Sequence, residues 1–437
     1  MPRPCFRSRT VTNRRSENAR RKATGSPGLR TLRRPAVEGS PEFDLAYTRT
    51  GPSDGVPVVV LPGGPGLASI LPYRQFRARA AKHGIHTIMI EHRGIGLSRC
   101  DTNGNPLPAS AISIMLAVDD IEAVLAAEEI SEAIVYGSSY GTYLAAGFGI
   151  AHPERVAGMI LDSVVLSAED HHIVRSHCRS LLWDGDAPEL ADCARLLRSL
   201  VTAGFDQDQA SDVARIVYEF GGRALLRRVL TQAATGRAIQ TWKFVTQIGN
   251  SEIGNDIASP YVMEFGPVGQ IAFTELNYAP TPDGKPFDPA TQFAAAAEKY
   301  PDFAREPFDV RGSMPQFDWP MTIILGARDL RTPPPIAELA AALLPDVRVV
   351  KLDNGHSALD THQLAALHVI GRMAGRDGAR LDTAEDQAVI AALPHRGSAV
   401  RFLPHIISFA LRWDHAVSAV RVRLPRWLRS RNHTTTQ

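Results

Sequence analysis

Cysteine is scarce in this chain. Four residues in 437 are too few for a disulfide scaffold. Cys5 lies in a basic leader and Cys100 in a loop, while Cys178 and Cys193 flank a short polar stretch at a spacing that permits pairing. With no export signal in view, free thiols are the expectation there. Long apolar runs are missing as well: no stretch approaches the ~18 uninterrupted apolar residues of a membrane span. Residues 1–40 lack the apolar core of a signal peptide, and Arg14-Arg15 is followed by no apolar segment of the twin-arginine kind. A cytoplasmic location is therefore expected. A large net charge is absent too, but the +2 total hides an asymmetry: residues 1–40 carry +9, residues 396–437 carry +7 and the body between them −14. An acidic body with two basic ends excludes a nucleic-acid-binding fold.

What is present is material for a large core, with 44% apolar residues, and an alternation of strand and helix patterns. The basic leader, 1–40, reads as disordered, being poor in large apolar groups. Phe43–Thr50 alternates like an edge strand. Val58-Val59-Val60-Leu61 and the stretch from His86 to Ile90 read as strands buried on both faces. Ile114, Val118, Ile121 and Leu125 recur at helical spacing. Ala133–Tyr136 and Met159-Ile160-Leu161 are further strands. Alternating strands and helices imply crossover connections and a mostly parallel sheet. The alternation stops near Ser167, gives way to helical patches and Pro-rich loops, and returns at Met321-Thr322-Ile323-Ile324-Leu325. The expected organisation is one discontinuous α/β core, 41–166 and 316–395, with a mainly helical cap inserted over 167–315.

The chemistry gathers at strand ends. Gly137-Ser138-Ser139-Tyr140-Gly141 is a G-x-S-x-G turn between a strand and a helix, the pattern that holds a serine hydroxyl outward on a sharp bend. Asp329 and His356 each follow a predicted strand too. Strand C-termini of a parallel sheet share one edge, so the three residues are expected to converge. Their chain order, Ser then Asp then His, is that of the α/β-hydrolase fold. In that arrangement His356 takes the proton of Ser139 as it attacks a carbonyl, and Asp329 orients the imidazole. The loop Pro62-Gly63-Gly64-Pro65-Gly66 follows another strand. A tetrahedral oxyanion needs preorganised N–H donors, and the amides of Tyr140 and Gly64 are the candidates. The scheme calls for neither metal nor cofactor.

The same segments carry a resemblance. Gly-Gly-Pro-Gly after a strand, Glu91-His92-Arg93-Gly94-Ile95-Gly96-Leu97-Ser98, Gly-Ser-Ser-Tyr-Gly-Thr, His-Pro-Glu-Arg-Val and Ile-Leu-Asp occur in that order. Over about 43–166 and 318–360 the chain resembles the prolyl aminopeptidase (proline iminopeptidase) and tripeptidyl aminopeptidase branch of the α/β-hydrolases. It departs from that pattern with Pro62 in place of a His, Glu91 in place of an Asp, and Tyr140, the tripeptidyl-type residue, where prolyl enzymes carry Trp. The resemblance implies a cap that closes over the site and cap carboxylates that bind a substrate's free amino terminus. Glu275, in Ala-Phe-Thr-Glu-Leu-Asn-Tyr, matches the cap segment that carries such a residue, and Glu264 is the second candidate. A buried ammonium needs a counter-charge, so a carboxylate there selects for a free N-terminus. Arg93 reads as a loop brace.

Three functions stand at this point. The first is a serine aminopeptidase of the prolyl type, acting on a peptide or small molecule with a free amino terminus. The second is an esterase, amidase or lactonase with the same three residues. The third is a non-catalytic hydrolase-fold binding protein. The basic tail, 396–437, places Ile406, Phe409, Trp413, Val417, Val420 and Leu424 at helical spacing among arginines, bounded by Pro404 and Pro425. Such a helix docks on the body or a partner subunit, or makes a peripheral contact with an anionic membrane.

Overall fold

The computed structural model describes residues 12–253, 260–375, 383–395 and 402–423. Eight strands form one sheet: β1 (Leu29–Arg34), β2 (Phe43–Thr50), β3 (Val58–Leu61), β4 (Thr87–Ile90), β5 (Ala133–Ser138), β6 (Val156–Asp162), β7 (Met321–Gly326) and β8 (Val347–Leu352). Their order is β1-β2-β4-β3-β5-β6-β7-β8. β1 and β2 run antiparallel to their neighbours; from β4 to β8 every pairing is parallel. Every residue of β3, β4, β5 and β7 is buried, as continuous apolar strands covered on both faces must be. Val58, Val60, Ile134, Tyr136, Ile160, Ile324 and Val350 share a core with Phe76 and with Ala366, Val369 and Ile370 of a helix behind the sheet.

Two expectations about the leader are corrected. Within the described residues, Thr12–Thr24 is a helix and β1 pairs with β2 along six positions, from Leu29↔Thr48 to Arg34↔Phe43. The leader is thus not disordered there, and Phe43–Thr50 is an interior strand with β1 outside it. The arginines of β1, which made this part of the leader look solvated, are matched by carboxylates. Arg30 and Arg49 pair with Glu128, Arg33 with Asp44 and Glu42, and Arg34 with Asp120 at 2.8 Å. Ala23 is buried in a small cluster with Ala46, Ile70 and Tyr261.

The chain divides into two compact units, and the boundaries differ from those expected. One unit holds Met1–Arg175, Gly254–Asp283 and Pro289–Ser398; the other holds Ser176–Ile253, Gly284–Asp288 and Ala399–Gln437. The stretch 167–315, expected as one cap, is therefore shared between them. In the first unit, the Glu264 amide donates to the Gly66 carbonyl at 2.8 Å and the Ala68 amide to the Val262 carbonyl at 3.0 Å, which ties 262–264 onto the loop after β3. The second unit is helical, with helices Ala191–Thr202, Gln207–Ala234, Ile239–Ile253 and Leu403–Arg423. The last of these packs on the two before it. The tail's described part is thus a docked helix of this unit; Val417, Val420 and Leu424 lie outside the described side chains. Cys178 and Cys193, both in this unit, are buried and form no disulfide.

Candidate active site

β5 ends at Ser138 and the helix Tyr140–Ala151 starts one residue later. Ser139 between them has φ 54° and ψ −123°, a conformation a side-chain-bearing residue adopts only under local constraint. Crowding explains the two glycines. A Cβ on Gly137 would lie 2.2 Å from the carbonyl oxygen of Gly141, and one on Gly141 would lie 2.0 Å from that of Leu61. The turn closes only because neither has one.

The structure brings the three predicted residues together. Ser139 Oγ lies 2.9 Å from His356 Nε2, and His356 Nδ1 lies 2.9 Å from Asp329 Oδ2. Asp329 is buried after β7 and also accepts from the amides of Arg331 and Thr332, at 2.9 and 3.0 Å, and from the Thr332 hydroxyl at 2.9 Å. Burial alone would raise its carboxyl. The charge of His356 and these hydrogen bonds together outweigh burial and hold it below the ordinary aspartate value. An ionised Asp329 on Nδ1 fixes the tautomer that leaves Nε2 to accept a proton from Ser139.

The loop after β3 also reaches the serine. A Cβ on Gly63 would lie 3.0 Å from Ser139 Cβ and 3.5 Å from its Oγ, so Gly63 adjoins the hydroxyl and Gly64 follows it. The Tyr140 amide opens the helix directly after Ser139. Both backbone donors named from the sequence are thus on the segments that flank the hydroxyl.

Several supporting residues lie in the motifs noted above but were given no role from the sequence. His92, just past β4, accepts from the Tyr140 hydroxyl through Nε2 at 3.0 Å while Nδ1–H donates to the Arg93 carbonyl at 2.7 Å. A carbonyl accepts only, which sets this tautomer. Burial, then the nearby Arg93 charge, bring the His92 pKa down to about 4, so the ring is neutral near pH 7. His92, Tyr140, Pro62 and Gly63 line a small cavity beneath the loop. Asp162, at the end of β6, accepts from the amides of Ala358 and Leu359, each at 2.9 Å, and from the Tyr136 hydroxyl at 2.7 Å. Ser163 Oγ accepts from the Ser357 amide at 2.8 Å. The segment behind His356 is thereby anchored to β6. Only pairing across the sheet reveals this, since the residues are almost two hundred positions apart.

The carboxylate candidates separate. Glu264 is buried and already occupied: it pairs with Arg99 and accepts from the amides of Tyr261 and Gly96, the latter at 3.1 Å. Its carboxylate is thus held by partners of its own fold. Glu275 accepts from the Ile114 amide at 3.0 Å, at the first turn of the helix Ile114–Ala127. Burial raises its carboxyl to about 7, against the lowering effect of that one amide. After burial, the Glu275 charge is the next contributor that pushes the Tyr140 phenol up, so Glu275 lies within electrostatic reach of the residue after Ser139. Arg93 forms a two-pronged bond to Asp120, at 2.8 and 2.7 Å, donates to the Ala111 carbonyl and lies over the Phe43 ring.

Comparison with known proteins agrees with this architecture. A family model for the alpha/beta hydrolase fold matches residues 56–207. The chain is 32% identical over 125 residues to a proline iminopeptidase of Neisseria meningitidis serogroup A, which covers 28% of this chain and 37% of that protein. It is 34% identical over 122 residues to a probable proline iminopeptidase of Leptolyngbya boryana, covering 28% and 36%. The chain thus spans little more than a third of the length of these curated relatives. Among solved structures, the proline iminopeptidase of Mycobacterium smegmatis aligns at 17% identity and a TM-score of 0.42, over 89% of this chain and 100% of that one. With its strand order, its parallel sheet and the match over 56–207, the chain is an α/β-hydrolase-fold protein, and it resembles the proline iminopeptidases.

Proposed function

We propose that this protein is a serine hydrolase with Ser139 as nucleophile, and more narrowly an aminopeptidase that releases N-terminal residues. The observation that carries the first part is the continuous chain Ser139 Oγ, His356 Nε2, His356 Nδ1, Asp329 Oδ2, each contact 2.9 Å. In the reaction, Ser139 Oγ attacks the substrate carbonyl carbon and its proton passes to His356 Nε2. The amides of Tyr140 and Gly64 receive the developing oxyanion. His356 then protonates the leaving amine, giving an acyl-enzyme on Ser139. A water molecule, deprotonated by the same Nε2, attacks that ester; the bond from the acyl carbon to Ser139 Oγ breaks, Nε2 returns the proton to Oγ, and the acid is released.

The narrower part rests on two supports. One is the similarity to proline iminopeptidases over about 125 residues. The other is Glu275, a half-buried carboxylate that, among the described residues, accepts from the backbone amide of Ile114. An ammonium brought beside it gains a counter-charge and lowers the carboxyl back toward its ordinary range.

A panel of aminoacyl-naphthylamides, the prolyl one included, beside their N-acetylated forms and short acyl esters tests the proposal. Turnover confined to substrates with a free amino group supports an aminopeptidase. Turnover of esters alone keeps the serine hydrolase and removes the aminopeptidase. No turnover of any member by wild type, with none lost in Ser139→Ala, returns the chain to a binding role.

A further inference from the structure

The Leu403–Arg423 helix has two unlike faces. On one, Ile407 and Leu411 are fully buried, and the carboxylate of Asp414 accepts from the amides of Gln240 and Thr241 at 3.2 and 2.9 Å and from the Thr241 hydroxyl at 2.9 Å. Asp414 thus caps the start of the neighbouring helix Ile239–Ile253. On the other face Ile406, Phe409 and Trp413 follow at spacings of three and four, in one line along the helix. They are 47%, 67% and 61% exposed. A line of large apolar side chains in water is costly unless something covers it.

Charge says what covers it. Arg412, His405 and His415 are exposed on the same helix. Residues 396–437 hold eight arginines and one acid, Asp414, and that acid is buried and occupied. The apolar line therefore has no carboxylate of its own helix beside it. In the sequence the spacing runs on through Val417, Val420 and Leu424, among Arg421, Arg423 and Arg426. Aromatic and aliphatic groups in line, with arginine and without acid, match the interface of an anionic bilayer. A second copy of the same segment would bring together two stretches that are each rich in arginine and poor in acid. No helix among the described residues is long and apolar enough to cross a membrane, so the contact is one of lying on the surface.

We propose that the Ile406–Phe409–Trp413 face docks the protein on anionic phospholipid membranes, with the helix parallel to the surface. The proposal does not depend on the hydrolase reading. It is tested by sedimenting the full chain with vesicles of phosphatidylcholine alone and with ~30% phosphatidylserine. Wild type is expected to bind the anionic vesicles at least ~10-fold more tightly, and to lose most of that in about 0.5 M salt. Phe409→Ser combined with Trp413→Ser should weaken binding ~10-fold or more with the unfolding temperature unchanged, since neither side chain is buried. Arg412→Glu should weaken it less. Equal binding by the double variant overturns the proposal, as does absence of wild-type binding to anionic vesicles at low salt. Concentration-dependent dimerisation removed by the double variant, without vesicle binding, would assign the face to a second copy and overturn it equally.

Discussion

Asp162 accepts the backbone amide of Ala358 at 2.9 Å, two residues beyond His356. With the Leu359 amide and the Tyr136 hydroxyl on the same carboxylate, it fixes the segment that presents the imidazole to Ser139. Asp162→Asn keeps the shape but offers one acceptor oxygen in place of two, so the His356 segment loses part of its anchor. Turnover should fall ~10–100-fold through kcat with little change in KM, because a displacement of about 1 Å at the base has that cost. Steady-state kinetics on a substrate of the wild type checks this; an unchanged kcat would show that Asp162 does not position His356.

The leader is a structural element. Removing residues 1–34 deletes β1, uncovers β2 and strips Arg30 from Glu128 and Arg34 from Asp120. The unfolding temperature should fall by roughly 3–8 °C, on the order of 1–3 kcal/mol. A disordered leader would leave it unchanged. Calorimetry of the truncated and full chains distinguishes the two.

Glu275 gives a pH prediction. Its folded pKa, raised to about 7 by burial, lies above the ordinary glutamate value near 4.5. The folded state therefore binds this proton more tightly than the unfolded state. For this group, stability is highest below the unfolded pKa and declines as pH rises from there to about 7. Substrate binding has the opposite sign, because an ammonium needs the ionised form. For substrates with a free amino group, KM should rise as pH falls through 7, approaching about ten-fold per pH unit. N-acetylated or neutral ester substrates should not show this, and Glu275→Gln should abolish it. The same pH profile of KM for both substrate classes would remove Glu275 from amine binding.

Glu264 is predicted to behave differently. Glu264→Gln breaks the Arg99 pair in a buried site, which should cost about 3–5 kcal/mol. Its effect on KM should be the same for charged and neutral substrates. Thermal unfolding together with the substrate panel reads both.

Much of the core was legible in the sequence because its signals are local. Val58–Leu61 and Met321–Leu325 are unbroken apolar runs, and Ser139, Asp329 and His356 each sit just beyond a strand of the parallel sheet. What was not legible depends on distant partners. The arginines of 29–34 look solvated until Glu128, Asp120 and Asp44 are brought beside them. Glu264 and Glu275 look alike in sequence, and only Arg99, Tyr261 and Gly96 around the first tell them apart. Asp162 reads as the end of a strand; its bonds to the His356 segment arise from folding across the sheet. The helix Leu403–Arg423 has apolar residues on two faces, and only packing shows that Ile407 and Leu411 are the buried ones.

The central claim is that Ser139 is the nucleophile. Labelling with a fluorophosphonate probe, followed by mass-spectrometric mapping of the modified peptide, tests it most directly. The account predicts one adduct on Ser139, absent in Ser139→Ala and slowed by at least ~10³-fold in His356→Ala. An unmodified wild type, or equal labelling of Ser139→Ala, would contradict it.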